Sequence, residues 1–199
     1  ALEENKNIMM EGVNGSLLDN DWGTYPFVTA STTTTGGGAA GSGIPPSKIQ
    51  NIIGVVKAYQ TRVGQGPMPT EQLNADGEKL QLEGNEFGTT TGRKRRCGWL
   101  DLELLNFTAK VNGFTELAIT KLDVLDNFDT IKICTHYSKN GKKISFPSND
   151  ADLLWNVKPV YKILPGWKSS TKGVSKFSDL PKNARKFVKT IEDLVGVKT

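Results

Sequence analysis

Short apolar runs separated by polar and glycine-rich stretches set out the elements of this chain. The first run, Ile8-Met9-Met10, reads as a buried strand that breaks at Glu11-Gly12-Val13-Asn14-Gly15. From Thr29 to Gly43 the sequence is polar and glycine-rich. That composition fits a flexible linker, although its small residues also let a phosphate approach the backbone. Pro45-Pro46-Ser47 opens a predicted helix, because proline suits a first turn. Ile49, Ile52, Ile53 and Val56 follow at helical spacing. Thr61-Arg62-Val63 reads as a short strand stopped by Gly64-Gln65-Gly66-Pro67, and a second helix is predicted from about Trp99 to Val111, ended by Asn112-Gly113.

Glu116 to Thr120 is a β segment that delivers Lys121-Leu122-Asp123. Thr130 to Tyr137 alternates as a strand does, and Asn140-Gly141 supplies a hairpin turn before Lys143 to Phe146. A last helix is predicted from Pro181 to Val195, with Ser178 or Asp179 near its N-cap and Val188, Ile191, Leu194 and Val195 facing inward. Strands and helices interleave without an internal repeat. The fold class this predicts is layered α/β, a mixed, mostly parallel sheet with flanking helices and a β-hairpin.

Composition adds bounds. The 199 residues, 37% hydrophobic and 23% charged, suit one domain or one lobe of a larger one. No stretch approaches the ~20 apolar residues of a membrane helix, and the polar opening Ala1-Leu2-Glu3-Glu4 is no signal peptide. A start without Met that soon meets an apolar run predicts a piece of a longer protein. Cys97 and Cys134 are two cysteines too few for a disulfide framework, which points to a reducing, cytoplasmic setting. They and His136, the one histidine, read as packing residues. The net charge of +4 is small, so its distribution matters more, above all the run Arg93-Lys94-Arg95-Arg96.

Four stretches carry candidate chemistry. Glu11-Gly-Val-Asn-Gly-Ser-Leu-Leu-Asp19 continues into Gly23-Thr-Tyr-Pro-Phe-Val-Thr29. Lys57-Ala-Tyr-Gln-Thr-Arg-Val-Gly64 leads to Pro69-Thr-Glu71. Then come Asn85-Glu-Phe-Gly-Thr-Thr-Thr-Gly-Arg-Lys-Arg-Arg-Cys-Gly-Trp-Leu-Asp101 and Thr120-Lys-Leu-Asp-Val-Leu-Asp126. All four are similar to signatures of the adenylosuccinate synthetase family, in that family's order and at about its spacing. Leu164-Pro-Gly-Trp167 fits as well, and the resemblance covers nearly the whole chain.

The resemblance implies a GTP-dependent ligase that joins IMP to L-aspartate through a 6-phosphoryl-IMP intermediate, a step of AMP biosynthesis. It implies Mg²⁺ as cofactor, a homodimer, and neither nucleic acid nor membrane as partner. Residues 1–199 would form part of a larger P-loop-like α/β domain, with an IMP-site segment over 8–70, an aspartate loop over 85–98 and a guanine-recognition segment over 116–126. The family's phosphate loop, its catalytic aspartate and histidine, its Mg²⁺ ligands and its last strand would lie outside this sequence. The chain alone is therefore expected not to turn over.

Residue chemistry supports the same assignments. Two residues apart at a strand's end, Lys121 and Asp123 point to one side. The carboxylate can accept both N1–H and N2–H of guanine, and the lysine stem can cover the base. A lone Lys-x-Asp is ordinarily a surface ion pair; the neighbouring motifs favour Lys121, Leu122 and Asp123 as a GTP-binding set joined by Arg95. Arginine forks, threonine hydroxyls and glycine-freed amides suit a dicarboxylate, so Thr89, Thr90, Thr91, Gly92, Arg93 and Arg95 are the expected L-aspartate contacts. Read alone, the basic run is equally a nuclear-localisation or nucleic-acid patch, but no aromatic platform for bases accompanies it. Asn14 falls where the family places a catalytic amide against the purine O6, although Asn before Gly is also a common turn. Asn14, Thr29, Val63 and Arg93 make up the expected IMP-binding set. A non-catalytic purine-nucleotide-binding module is the alternative.

Overall fold

The computed structural model describes residues 4, 6–88, 92–144 and 150–199. Its strands are β1 (Ile53–Lys57), β2 (Tyr59–Arg62), β3 (Arg96–Asp101), β4 (Glu116–Thr120), β5 (Thr130–Lys139), β6 (Lys142–Ile144) and β7 (Lys158–Pro165). Its α-helices are α1 (Thr35–Ser42), α2 (Ala75–Glu83), α3 (Leu102–Asn112), α4 (Ala151–Trp155) and α5 (Lys182–Val195). β1 pairs in parallel with β4, and beyond Ala58 the same stretch of chain continues as β2, antiparallel to β3. The Ala58 amide donates to Thr120 O at 2.9 Å, so the two ladders meet where β4 ends. β5 pairs in parallel with β3 and antiparallel with β6 and β7. β1 and β4 make a two-stranded parallel sheet, and β2, β3, β5, β6 and β7 make a five-stranded mixed sheet with its parallel pairing at β3–β5; helices flank both. The expected hairpin turns at Asn140 (φ 52°) and Gly141 (φ 77°), the double positive φ that such a two-residue turn requires.

Tyr59, Leu80, Trp99, Leu102, Leu125, Ile131, Ile133, Phe187 and Ile191 are buried in one core between the sheet and α2, α3 and α5. Trp99 meets Phe128 edge-on at 5.3 Å, a geometry that aromatic quadrupoles favour. α5 buries Ala184, Phe187, Val188 and Ile191, which repeat at helical spacing. The buried indole of Trp167 donates to Asp126 at 2.7 Å, and Asp126 also accepts from the amide and hydroxyl of Thr171, each at 2.8 Å. That carboxylate ties the end of the Thr120–Asp126 motif to the Leu164-Pro-Gly-Trp167 segment. Cys97 and Cys134 are free and buried, as packing residues.

Several expectations need correcting. Ile8 to Met10 form no strand and are exposed, Met9 to 91%, because no strand among the described residues pairs with them. Pro46–Lys48 makes only a short 3-10 turn, and of the run predicted to continue as a helix Ile53 and Val56 fall in β1, with Ile49 and Ile52 in the chain before it. β-branched Ile and Val fit a pleated strand better than a helix, and β4 supplies the partner. The glycine-rich stretch is not a linker but holds α1, closed by Gly43 in the left-handed region at φ 70°. Trp99 to Asp101 belong to β3, and α3 starts only after Asp101, whose carboxylate caps it. Pro181, not Ser178 or Asp179, stands at the N-cap of α5, and Leu194 is 43% exposed. α2, α4 and β7 were not anticipated. Of the predicted strand Lys143 to Phe146, the part from 145 lies outside the described residues.

Candidate functional site

A cavity of about 560 Å³ opens between the Asn14–Leu18 turn, β1–β2, the 62–68 loop and α3. Asn14, Lys57, Arg62, Val63, Arg95 and Asp101 are among the residues that line it. Asn14 is exposed in the left-handed region at φ 68°, where asparagine is tolerated. The turn that carries it is organised by Asp19, a buried carboxylate that accepts the amides of Asp21 (2.9 Å), Trp22 (2.9 Å), Thr33 (2.6 Å) and Thr34 (3.2 Å). Burial pushes its pKa up, but the amide bonds outweigh that and hold it below the ordinary value. The Thr35 amide donates to Asn112 Oδ1 at 2.9 Å. The amides of Thr33, Thr34 and Thr35, at the start of α1, are thus taken by protein acceptors rather than left bare for a phosphate.

Arg62 spreads its guanidinium over neutral acceptors: Gln65 O (2.9 Å), Pro67 O (3.4 Å), Thr24 Oγ1 (3.2 Å) and Phe27 O (2.9 Å). Burial, and then the nearby charge of Arg96, lower its pKa to about 10, so it stays cationic. Val63 follows it on the cavity wall, half of its surface open. Thr29 is half-buried one loop away, its amide on Leu18 O at 2.8 Å, and does not line the cavity.

The loop before β3 is rooted in a short two-stranded stem. The Arg95 amide donates to Glu86 O (2.9 Å), Phe87 bridges Lys94, and the Gly88 amide donates to Arg93 O (2.8 Å). Gly92 takes φ 63°. Thr89, Thr90 and Thr91 lie outside the described residues. Arg93 is exposed, with no side-chain partner among the described residues. Arg96 makes a two-pronged pair with Glu71 and is a brace rather than a free cation.

Glu86 is the centre of this region, and sequence reasoning missed it. Its side chain is fully buried. Oε1 accepts Lys57 Nζ (2.8 Å), Lys121 Nζ (3.1 Å) and the Tyr59 hydroxyl, while Oε2 accepts Arg95 Nη1 (2.9 Å). Burial pushes the carboxyl up, but its bonds to Lys57, Tyr59 and Lys121 and the charge of Lys57 bring it down to about 2. The same burial raises Tyr59 and lowers Lys57.

Lys121 and Asp123 are not placed by strand alternation. β4 ends at Thr120, Lys121 turns through the left-handed region (φ 56°), and Asp123 sits in the 3-10 turn Leu122–Leu125. The Lys121 ammonium reaches Gly84 O as well as Glu86. Asp123 is exposed and makes no side-chain hydrogen bond or salt bridge among the described residues. Leu122 packs against the main core. Thus Asn14, Val63 and Arg95 share the cavity, and Arg95 meets Lys121 on Glu86, whereas Thr29 and Arg93 stand apart. His136 sits at the β5 bulge, its ring nitrogen 3.1 Å from the Thr135 hydroxyl, and is not among the residues that line the cavity.

Among the described residues there is no group of three or more His, Cys, Asp or Glu side chains that could hold a metal ion. Nor is any helix among them long and apolar enough to cross a membrane.

Comparison with known proteins bears on the whole chain. The sequence profile of the family described as Adenylosuccinate synthetase matches residues 1–199. A protein named adenylosuccinate synthetase from Saccharomyces cerevisiae is 56% identical over 197 residues, covering 99% of this chain and 46% of its own length. One from Meyerozyma guilliermondii is 56% identical over 198 residues, with the same coverage of 99% and 46%. The solved structure of fully ligated adenylosuccinate synthetase from Plasmodium falciparum superposes with a TM-score of 0.95 at 40% identity, over 99% of this chain and 47% of that one. The chain spans about half the length of the relatives it matches.

Proposed function

The chain belongs to the adenylosuccinate synthetase family, and from that premise we propose that it carries the substrate-reading part of a GTP-dependent ligase joining IMP to L-aspartate. The observation that carries this reading is the charge of the cavity. Lys57, Arg62 and Arg95 line it beside Asp101, with Glu86 behind Lys57 and Arg95; three cations against two carboxylates leave the wall net positive, a balance suited to an anionic nucleotide. In the proposed reaction GTP phosphorylates O6 of IMP, and the amine of aspartate then attacks C6 and expels that phosphate. Asn14 at the cavity rim would donate to O6 as its negative charge grows. Val63 would flank the hypoxanthine, and Thr29 and Arg93 would reach the phosphate and ribose of IMP. The loop over 85–98 would take the two carboxylates of aspartate through Thr89 to Gly92, Arg93 and Arg95. Within 116–126, Asp123 would accept the two guanine N–H groups, with Lys121 and Leu122 against the base. Mg²⁺ would serve the phosphates of GTP, and the working form would be a homodimer.

The test is steady-state formation of adenylosuccinate by the complete protein. Saturable dependence on IMP, GTP and L-aspartate is expected; purine-nucleotide binding without product would favour a non-catalytic module instead.

A further inference from the structure

Glu86 belongs to none of the substrate sets above, yet it joins two of them. Its four donors come from four places: Lys57 ends β1, Tyr59 begins β2, Lys121 turns the chain after β4, and Arg95 closes the loop before β3. Lys121 and Arg95 sit on different oxygens of one buried carboxylate. Arg95 is fixed twice, since its amide also donates to Glu86 O. Three cations around one carboxylate leave two positive charges uncompensated, and Arg95 Nε is buried without a partner among the described residues.

Resting on the function proposed above, we propose that Glu86 is the positioning residue that couples the guanine-reading turn to the aspartate loop. Because one carboxylate holds both cations through its two oxygens, a displacement of Lys121 that turns it also moves Arg95. A base drawn against Lys121 therefore sets the guanidinium that meets the dicarboxylate, and the reverse holds by linkage. Removing the charge breaks this specifically. All four partners donate, so a glutamine would set an NH2 group against donors on one side and leave three cations facing no anion.

Steady-state kinetics of the complete protein and of Glu86→Gln, Glu86→Asp and Lys121→Met test this. Glu86→Gln is expected to raise KM for GTP and for L-aspartate together, each by about tenfold. Glu86→Asp, which keeps the charge, should recover most of that loss. Lys121→Met leaves Glu86 in place and should still raise KM for L-aspartate as well as for GTP. A merely structural Glu86 would lower the melting temperature and leave the KM values unlinked; that result, or a change confined to one substrate, overturns the proposal. Should Glu86→Gln fail to fold, Lys121→Met decides, and an unchanged KM for L-aspartate overturns the coupling. A wild-type protein that makes no adenylosuccinate would instead bring down the function on which the proposal rests.

Discussion

Asp101 caps α3 with Oδ1, which accepts the amides of Glu103 (3.1 Å) and Leu104 (3.3 Å), while Oδ2 accepts the Tyr137 hydroxyl at 2.6 Å. These donors favour the ionised form, but no salt bridge among the described residues offsets burial, which raises the carboxyl to about 7. The folded chain thus keeps a proton that an unfolded aspartate, with a pKa of about 3.9, has released. The stability this contributes is present below the unfolded value and is lost as pH rises through the folded one. Asp101→Asn keeps the capping oxygen, and the Tyr137 hydroxyl can turn to accept from the new amide. Urea unfolding at about pH 5 and about pH 8 should show wild type losing more stability than the asparagine variant across that interval. Identical pH dependence would assign the effect elsewhere. Asp123 is exposed and has no side-chain hydrogen bond or salt bridge among the described residues. If Asp123 reads guanine as proposed, Asp123→Asn in the complete protein should leave the fold intact, weaken GTP and improve xanthosine triphosphate as the co-substrate. Unchanged nucleotide preference in kinetics would remove Asp123 from the guanine site.

At the level of elements, α2 delivers Gly84, whose carbonyl receives Lys121 and whose Cα faces Tyr59. A Cβ there would press on the Tyr59 hydroxyl and come within 2.7 Å of Leu80 O. Gly84→Ala should therefore push Tyr59 off Glu86 and destabilise by roughly 1–3 kcal/mol, the usual range for overpacking. A melting curve that does not move would mean the contact relaxes freely. Glu116 to Thr120 is legible in the sequence, and so are the alternating β5 and the Asn140-Gly141 turn, because their signals are local. Ile49, Ile52, Ile53 and Val56 satisfy helical spacing, yet the pairing of Ile53–Lys57 with Glu116–Thr120 decides for a strand, and no local window contains that partner. The site divides in the same way. Asn14, Val63 and Arg95 are readable from their motifs. The role of Glu86 is not, since Lys57 stands 29 positions before it and Lys121 35 after it. Only folding brings those charges together.

Across the whole molecule, β1 has β4 on one side and no strand on the other among the described residues. It also exposes Ile53 to 56% and Val55 to 75%. An unpaired edge bearing β-branched residues invites association. The relatives are about twice as long as this chain, so they hold ample polypeptide to cover such a face. The 199-residue chain by itself should bind an apolar dye and scatter more light as its concentration rises. Ile53→Thr with Val55→Thr should reduce both signals, and the complete protein should show little of either. Equal dye binding by the two forms would mean that this face stays open in the complete protein. The consequence reaches the site because β1 runs directly into Lys57 and Tyr59, two of the four donors on Glu86. Whatever orders β1 also orders the cluster that holds Arg95 and Lys121. The form that binds dye should accordingly be the form that binds nucleotide weakly and makes no adenylosuccinate. Dye binding that disappears in the complete protein without any gain in nucleotide affinity would separate the strand from the site.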